Sequence, residues 1–239
     1  MDDAFGAEPD SQTSLALFPL NTVLYPGEPL PLQIFEPRYL QLLADLGDRD
    51  PASRQIGFVA IRHGHEVGDG RSGQIAGVGT MARLLSVERH PHADVELYVV
   101  LAVGTARFRL DAVAPGSSTP YLVGEVTLGR RTDEDPGFGM PSEDPATYVL
   151  EAEVRAELAA YARAFRSQEV PLPGGGDALA YRAAAATGLT LGDRQRVLEA
   201  QTTTERLRLV RDLLRRERTL LRTFGALPGS VRSGSESPN

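Results

Sequence analysis

Four prolines fall within one apolar stretch, NTVLYPGEPLPLQIFEPRYLQLL, which runs from residue 21 to residue 43. Proline lacks the backbone N–H and fixes φ, so it breaks helices and is confined to edges or bulges in sheets. A segment meant for burial can hold four of them only where each missing donor costs little. Pro26 with Gly27 reads as a turn after TVLY. Pro29 and Pro31 alternate with Leu30, Leu32 and Ile34, so the leucines can face a core while the prolines take outward positions on an edge strand. Pro37 suits the first position of a helix in FEPRYLQLLADLG. There Tyr39, Leu42, Leu43 and Leu46 form one face and Gly47 suits the stop. The segment therefore reads as strand, turn, edge strand, helix.

The same alternation continues from residue 15 to about residue 128. LALF, LPLQIF, QIGFVAI, GTMARLLSV, VELYVVLAV, ARFRLDAV and YLVGEVTL read as strands between glycine-rich and charged turns. The stretch GRRTDEDPGFGMPSEDP then reads as a linker, after which the period changes from 2 to 3.6. Helices are expected over 146–167, over about 177–187, in LTLGDRQRVLEA, and in a last segment that opens on the capping box of Thr202 and Glu205. Leu207, Val210, Leu214, Leu221 and Phe224 form the apolar stripe of that last helix. The expected organisation is a disordered N-terminus (1–14), a β-rich half (15–129), a linker (130–145), a helical half (146–224) and a disordered tail (225–239). The fold class is α+β.

Composition narrows the chemistry. The 239 residues carry no cysteine, which excludes disulfides, thiolate nucleophiles and cysteine-ligated metals. All 25 basic residues are arginine, so a P-loop lysine, a Ser–Lys dyad and a Schiff-base lysine are excluded too. A net charge of −7 argues against a general nucleic-acid binder, which needs a basic field. The acidic N-terminus is no signal peptide, and LYVVLAV is too short to span a bilayer. A cytoplasmic protein without membrane partners is expected.

Few constellations point to chemistry. The histidines pair as His63 with His65 and His90 with His92, near Glu66, Asp69, Glu88 and Asp94, but neither pair has a fixed third ligand, so solvated turns are expected rather than metal. The GGG at 174–176 links two helices and lacks the lysine of a phosphate loop. Arg206, Arg208, Arg211, Arg215, Arg216, Arg218 and Arg222 crowd the last helix. A solvated face partly paired with Asp212 and Glu217 is preferred over an RNA or acidic-partner patch. No Ser/His/Asp set stands out, no cofactor is called for, and no catalytic residue is assigned.

FPLNTVLYPGEPLPLQIFEPRYLQLL resembles the opening of the LON substrate-binding domain, the N-terminal domain of Lon proteases that also occurs in stand-alone bacterial proteins and in cereblon. GVGTMARLL, GTARFRL and DRQRVLEAQTTTERLRLVRDLL add to the resemblance, which covers about residues 15–224. It implies a PUA-like β pseudobarrel followed by a helical bundle, and a non-catalytic module that binds unfolded or partly folded polypeptide or a dedicated protein partner. A full Lon protease adds ATPase and Ser–Lys peptidase modules, for which this sequence has neither the length nor a lysine.

The motif residues Pro19, Pro26, Gly27, Glu36, Pro37, Arg38, Tyr39, Gly77, Gly79, Thr80, Gly104, Arg107 and Phe108 are read as structural, with Glu36 holding the turn at 26–28 or the helix start. Leu30, Leu32, Ile34 and Phe35 are the candidate binding residues, together with the cleft between the two halves. RNA binding is the alternative, since PUA-like barrels elsewhere bind RNA. It would require the arginines of 206–222 to form one surface with Arg107, Arg109, Arg130 and Arg131. A small-molecule pocket like that of cereblon ranks last, because it belongs to a separate cysteine-ligated zinc domain. A weak homodimer is left open.

Overall fold

The computed structural model of the chain describes residues 12–47, 54–62, 75–92, 95–115, 118–132, 138–165 and 171–224. Among them lie strands β1 (Gln12–Leu20), β2 (Pro29–Ile34), β3 (Gln55–Ala60), β4 (Val78–His92), β5 (Val95–Val113) and β6 (Leu122–Arg131). The helices are α1 (Pro37–Gly47), α2 (Pro145–Phe165), α3 (Gly176–Ala185), α4 (Leu191–Glu199) and α5 (Thr203–Phe224).

The sheet runs β2-β5-β4-β3-β1-β6 and closes through a further β5–β6 pairing. Closure depends on the length of β5. Residues 98–103 pair with β2, whereas the half beyond Gly104 pairs with β6 from Ala106 opposite Arg131 to Val113 opposite Gly124. The sequence reading divided this strand in two around GTAR. It is one continuous strand of 19 residues.

Gly104 is kept for a close approach within that strand rather than for a turn. A Cβ there would lie 2.3 Å from the Tyr25 carbonyl oxygen. The Gly27 N–H donates to the Gly104 carbonyl, and the Gly104 N–H donates to the Glu28 carbonyl. Gly27 itself sits at φ +80, which only glycine adopts readily. Gly79 is needed for a second close approach, since a Cβ there would lie 2.4 Å from the Phe108 ring.

The core has three parts. One fills the barrel around Leu17, Met81 and Phe108. A second lies under α1, where Tyr39, Leu42, Leu43 and Leu46 are buried as their spacing requires. Tyr39 stacks on Phe18 with ring centroids 3.8 Å apart. The third joins the helices to the barrel through Val23, Tyr25, Ala60 and Ala76. No helix among the described residues is long and apolar enough to cross a membrane.

The Tyr39 ring packs inside the second of these clusters, so Tyr39→Ala should destabilise the protein by ~3–5 kcal/mol, the usual cost of emptying a buried aromatic site. A shift of the urea midpoint measures it. An unchanged melting temperature with loss of polypeptide binding would instead make Tyr39 a binding residue.

Candidate functional site

Beyond Arg83, β4 has outrun β3, whose pairing ends with Gln55 opposite Arg83. The distal part of β4, the first half of β5 and β2 therefore form a three-stranded wing. Antiparallel residues alternate between those bonded to a neighbour and those turned away. The Leu84 N–H is turned outward and donates to the Arg54 carbonyl at 3.3 Å. A bulge between Leu84 and Ser86 then shifts the alternation by one. Val87, Arg89 and Pro91 therefore take the outward positions, and Ser86, Glu88 and His90 bond to β5. On β5 this leaves Tyr98, Val100 and Ala102 for β2, where they stand opposite Ile34, Leu32 and Leu30. Pro29, Pro31 and Gln33 thus line the outer edge of β2, where the missing N–H groups cost the ladder nothing. Both prolines fall on the edge that the sequence reading expected.

Opposed residues share a face, so three rows cross the wing. Leu30, Ala102 and Leu84 form the first, Leu32, Val100 and Val87 the second, and Ile34, Tyr98 and Arg89 the third. Leu30, Leu32, Leu84 and Tyr98 are partly buried against the cluster under α1. Val87 is 43% exposed, and Phe35, directly after β2, is 56% exposed. The four candidate residues divide accordingly. Leu30, Leu32 and Phe35 reach the surface, while Ile34 is 2% exposed and belongs to the core. Leu84 and Val87 complete the face and were missed. Their spacing of three is not the strand period of two, because the bulge separates them.

The other place singled out, the junction between the two halves, is packed. Tyr25 stacks on Tyr181 at 5.1 Å and donates its hydroxyl to the Arg194 carbonyl. Arg107 donates to the carbonyls of Leu198 and Ala200 at 3.0 and 2.8 Å. Gln195 donates to the Val78 carbonyl. Glu28 pairs with Arg182 at 2.9 Å, and burial pushes its carboxyl up although that arginine opposes the shift. A surface depression of about 310 Å³ remains between α4 and α5, beside Glu199 and Glu205. Gln195 engages one of those carboxylates and the Gln201 N–H the other.

The remaining motif residues lie within the frame. Pro19 pairs with Val59 in the barrel, and Pro26 bridges to Gly104. Thr80 donates its hydroxyl to the Leu24 carbonyl at 2.7 Å. Phe108 is fully buried, and the Gly77 carbonyl accepts from the Leu110 N–H. Pro37 is the first residue of α1. Glu36 differs from expectation in one respect. Its carbonyl accepts the first helical N–H groups, but its carboxylate pairs with Arg38 at 2.7 Å rather than with the turn at 26–28.

The arginines of α5 are not a simple solvated face. Arg206 is fully buried, donating to the Val197 and Ala200 carbonyls and to Asp177 beneath the Tyr181 ring. Arg211 reaches Glu153, and Arg215 and Arg218 both reach Glu157, each at 2.8 Å across to α2. Arg216 pairs with Asp193 of α4 at 2.7 Å. Asp212 and Glu217 do serve as partners, each for the arginine directly before it. Elsewhere Arg109 pairs with Asp111. The Arg130 side chain, His63, His65, Glu66, Asp69, Asp94 and the His92 side chain lie outside the described residues, as does the Phe224 side chain. Among the described residues no group of three or more metal-ligating side chains converges. The glycines at 174–176 lead into α3, whose first residue is Gly176, and they wrap a carboxylate of the protein itself. Glu151 is buried and accepts from the Gly176 N–H at 2.7 Å and the Ser142 N–H at 3.1 Å.

A pseudobarrel capped by helices at its C-terminal side is the fold of Lon N-terminal domains. The chain is 25% identical to the Lon N-terminal domain protein of Xanthomonas campestris, with a TM-score of 0.58 over 85% of this chain and 98% of that one. The N-terminal domain of the Mycobacterium avium complex Lon protease matches in fold at a TM-score of 0.59 and 20% identity, over the same shares of the two chains. The protein belongs to the family of the ATP-dependent protease La (LON) substrate-binding domain, whose family model matches residues 14–216. It is 32% identical to the Lon protease of Flavobacterium johnsoniae over 129 residues, which are 52% of this chain and 15% of that protein. It is 27% identical to Lon protease 2 of Myxococcus xanthus over 224 residues, 91% of this chain and 25% of that protein. The chain thus spans a quarter or less of the length of these relatives.

The clasp between α4 and α5 sets a pH dependence. The hydrogen bond from Arg216, helped by Thr190, holds the Asp193 carboxyl below the usual aspartate range although burial opposes it. An acid whose folded pKa is lowered contributes stability above its unfolded value of ~3.9 and loses it as pH falls through the folded value. Asp193→Asn should therefore cost ~1.5–3 kcal/mol at neutral pH, as for a hydrogen bond to a charged group. The gap between variant and wild type should close as pH drops below that unfolded value, as read from urea midpoints across the acid range.

Proposed function

We propose that the protein is a non-catalytic polypeptide-binding module of the cytoplasm, which takes up unfolded or partly folded chains or one dedicated protein partner. The observation that carries this reading is the apolar face of the wing. Leu30, Leu32 and Leu84 are half-buried on either side of fully buried Ala102 and Val100, and Phe35, Leu85 and Val87 are the large apolar side chains left exposed on the wing. Exposed apolar side chains gathered on one part of a surface are a mark of interaction sites in soluble proteins. The family's description as a substrate-binding domain supports the same reading. We assign no catalytic role to the described residues.

RNA recognition, the alternative, depends on arginines that carry their charge toward solvent. Those of α5 are largely matched by acids of α2 and α4, and Arg107 is turned into the junction. The two readings separate by salt, because phosphate contacts weaken steeply as salt rises and apolar contacts do not. Reduced, carboxymethylated lactalbumin, a permanently unfolded polypeptide, should bind at about micromolar affinity, with little change from low to physiological salt. Generic RNA should not bind at physiological salt. Fluorescence anisotropy with both ligands at two salt concentrations measures this. Replacing Leu32 and Val87 together by Glu should abolish polypeptide binding. Tight, salt-sensitive RNA binding that disappears on changing Arg211, Arg215 and Arg218 to Glu would replace the polypeptide reading.

A further inference from the structure

The wing has two long edges, and they are guarded differently. On β2 the outward row is Pro29, Pro31 and Gln33, so a strand laid against it would find a single N–H donor. On β4 the outward row beyond Leu84 is Val87, Arg89 and Pro91, and no strand among the described residues lies on that side. Val87 and Arg89 each present an outward N–H and C=O there. Leu85, in the bulge beside them, is 53% exposed.

We propose that the outer edge of β4, over residues 85–90, captures an extended segment of the bound polypeptide as an added strand. This rests on the polypeptide-binding reading and names the place and the geometry. Main-chain groups of Val87 and Arg89 supply affinity without regard to sequence, as in other strand-addition sites. An added strand would also extend two rows of the wing, those that end at Val87 and Arg89, by one position each. The residue beside Val87 continues an apolar row, and the residue two positions along stands beside Arg89. The favoured segment therefore sets an apolar side chain beside Val87 and an acidic one beside Arg89, two residues apart in the order the strand's direction dictates, the acid competing with Glu96, which lies 3.7 Å from Arg89.

A second copy of this chain fits the edge poorly. Six residues at about 3.4 Å each span about 20 Å, and a strip that long and about 10 Å wide buries about 400 Å² over both partners. Stable dimers bury about 1,200–2,000 Å². An unfolded chain is under no such limit, because residues flanking the added strand can go on to cover the apolar face.

Proline at an outward position removes one edge donor and spares the β5 ladder, as Pro91 already shows. Arg89→Pro should weaken binding of reduced, carboxymethylated lactalbumin about tenfold, as the loss of one or two hydrogen bonds would. Gln33→Pro, which blocks the opposite edge, should bind as the wild type does. In the wild-type complex, hydrogen exchange at the Val87 and Arg89 amides should slow. If Arg89→Pro retains the wild-type melting temperature and binds equally well, the edge is not the capture site, although the protein still binds polypeptide. If wild type does not bind at all, both readings fail. A dimer in sedimentation that Arg89→Pro dissolves would replace capture by self-pairing. Should Arg89→Pro not fold, exchange decides, and amides that do not slow overturn the proposal.

Discussion

The structure depends on β5 changing partners at Gly104. Before that residue the strand holds β2, and after it the same edge holds β6 and closes the barrel. The change requires the turn at 25–28 to enter the gap between the two partners, and any Cβ at 104 would strike the Tyr25 carbonyl. Two hydrogen bonds, given and received by Gly104, then fix the turn. That turn carries Tyr25 onto Tyr181 and Glu28 onto Arg182, so the contact that ends the wing also seats the helices. The barrel, the wing and the helical cap are positioned by one residue without a side chain.

The absence of lysine shows what this chain asks of its positive charges. A guanidinium offers five donors in a rigid fork, so one arginine can hold several carbonyls or two carboxylates at once. Arg107 joins α4 to the barrel through two carbonyls, and Arg206 gathers two carbonyls and Asp177 in a site closed to water. Lysine in either place would leave buried carbonyls without partners. The arginines from 211 to 218 tie α5 to α2 and α4 by matched charges. Thus a helix that is strongly basic in sequence is largely neutralised in the fold.

Much of this was legible wherever local rules decide. Pro37, the apolar face of α1, the capping Thr202 and the edge prolines all lie within a few residues of the groups they serve. Thr202 indeed accepts from the Glu205 N–H, although Glu205 returns to Gln201 and not to the cap residue itself. Long-range contacts were not legible. Gly104 reads in the sequence as a structural glycine, for a turn or close approach, but the residue it approaches, Tyr25, lies far away along the chain. Arg206 read as solvated because burial of an arginine depends on carbonyls supplied by a different helix. Ile34 alternates correctly with Leu30 and Leu32, yet only the packing of α1 separates the covered end of the row from the open one.

The wing sets a requirement of its own. A surface that receives unfolded chains must leave apolar groups uncovered, yet an open sheet edge beside them invites the protein to pair with itself. Prolines resolve this on β2 by removing donors from the outer row while keeping the inner ladder whole. On β4 the bulge does the complementary work. It inserts one residue after the last rung with Arg54, and this places Val87 and Arg89 outward while keeping the Val87 side chain in the apolar row. Without the bulge, the parity would turn Ser86 and Glu88 outward, and Pro91 would fall on the bonded side, where its missing N–H would break the β5 ladder. The bulge and Pro91 are therefore one device. Each makes sense only with the other, and among the described residues they leave a short, bounded length of edge between a paired rung and a proline.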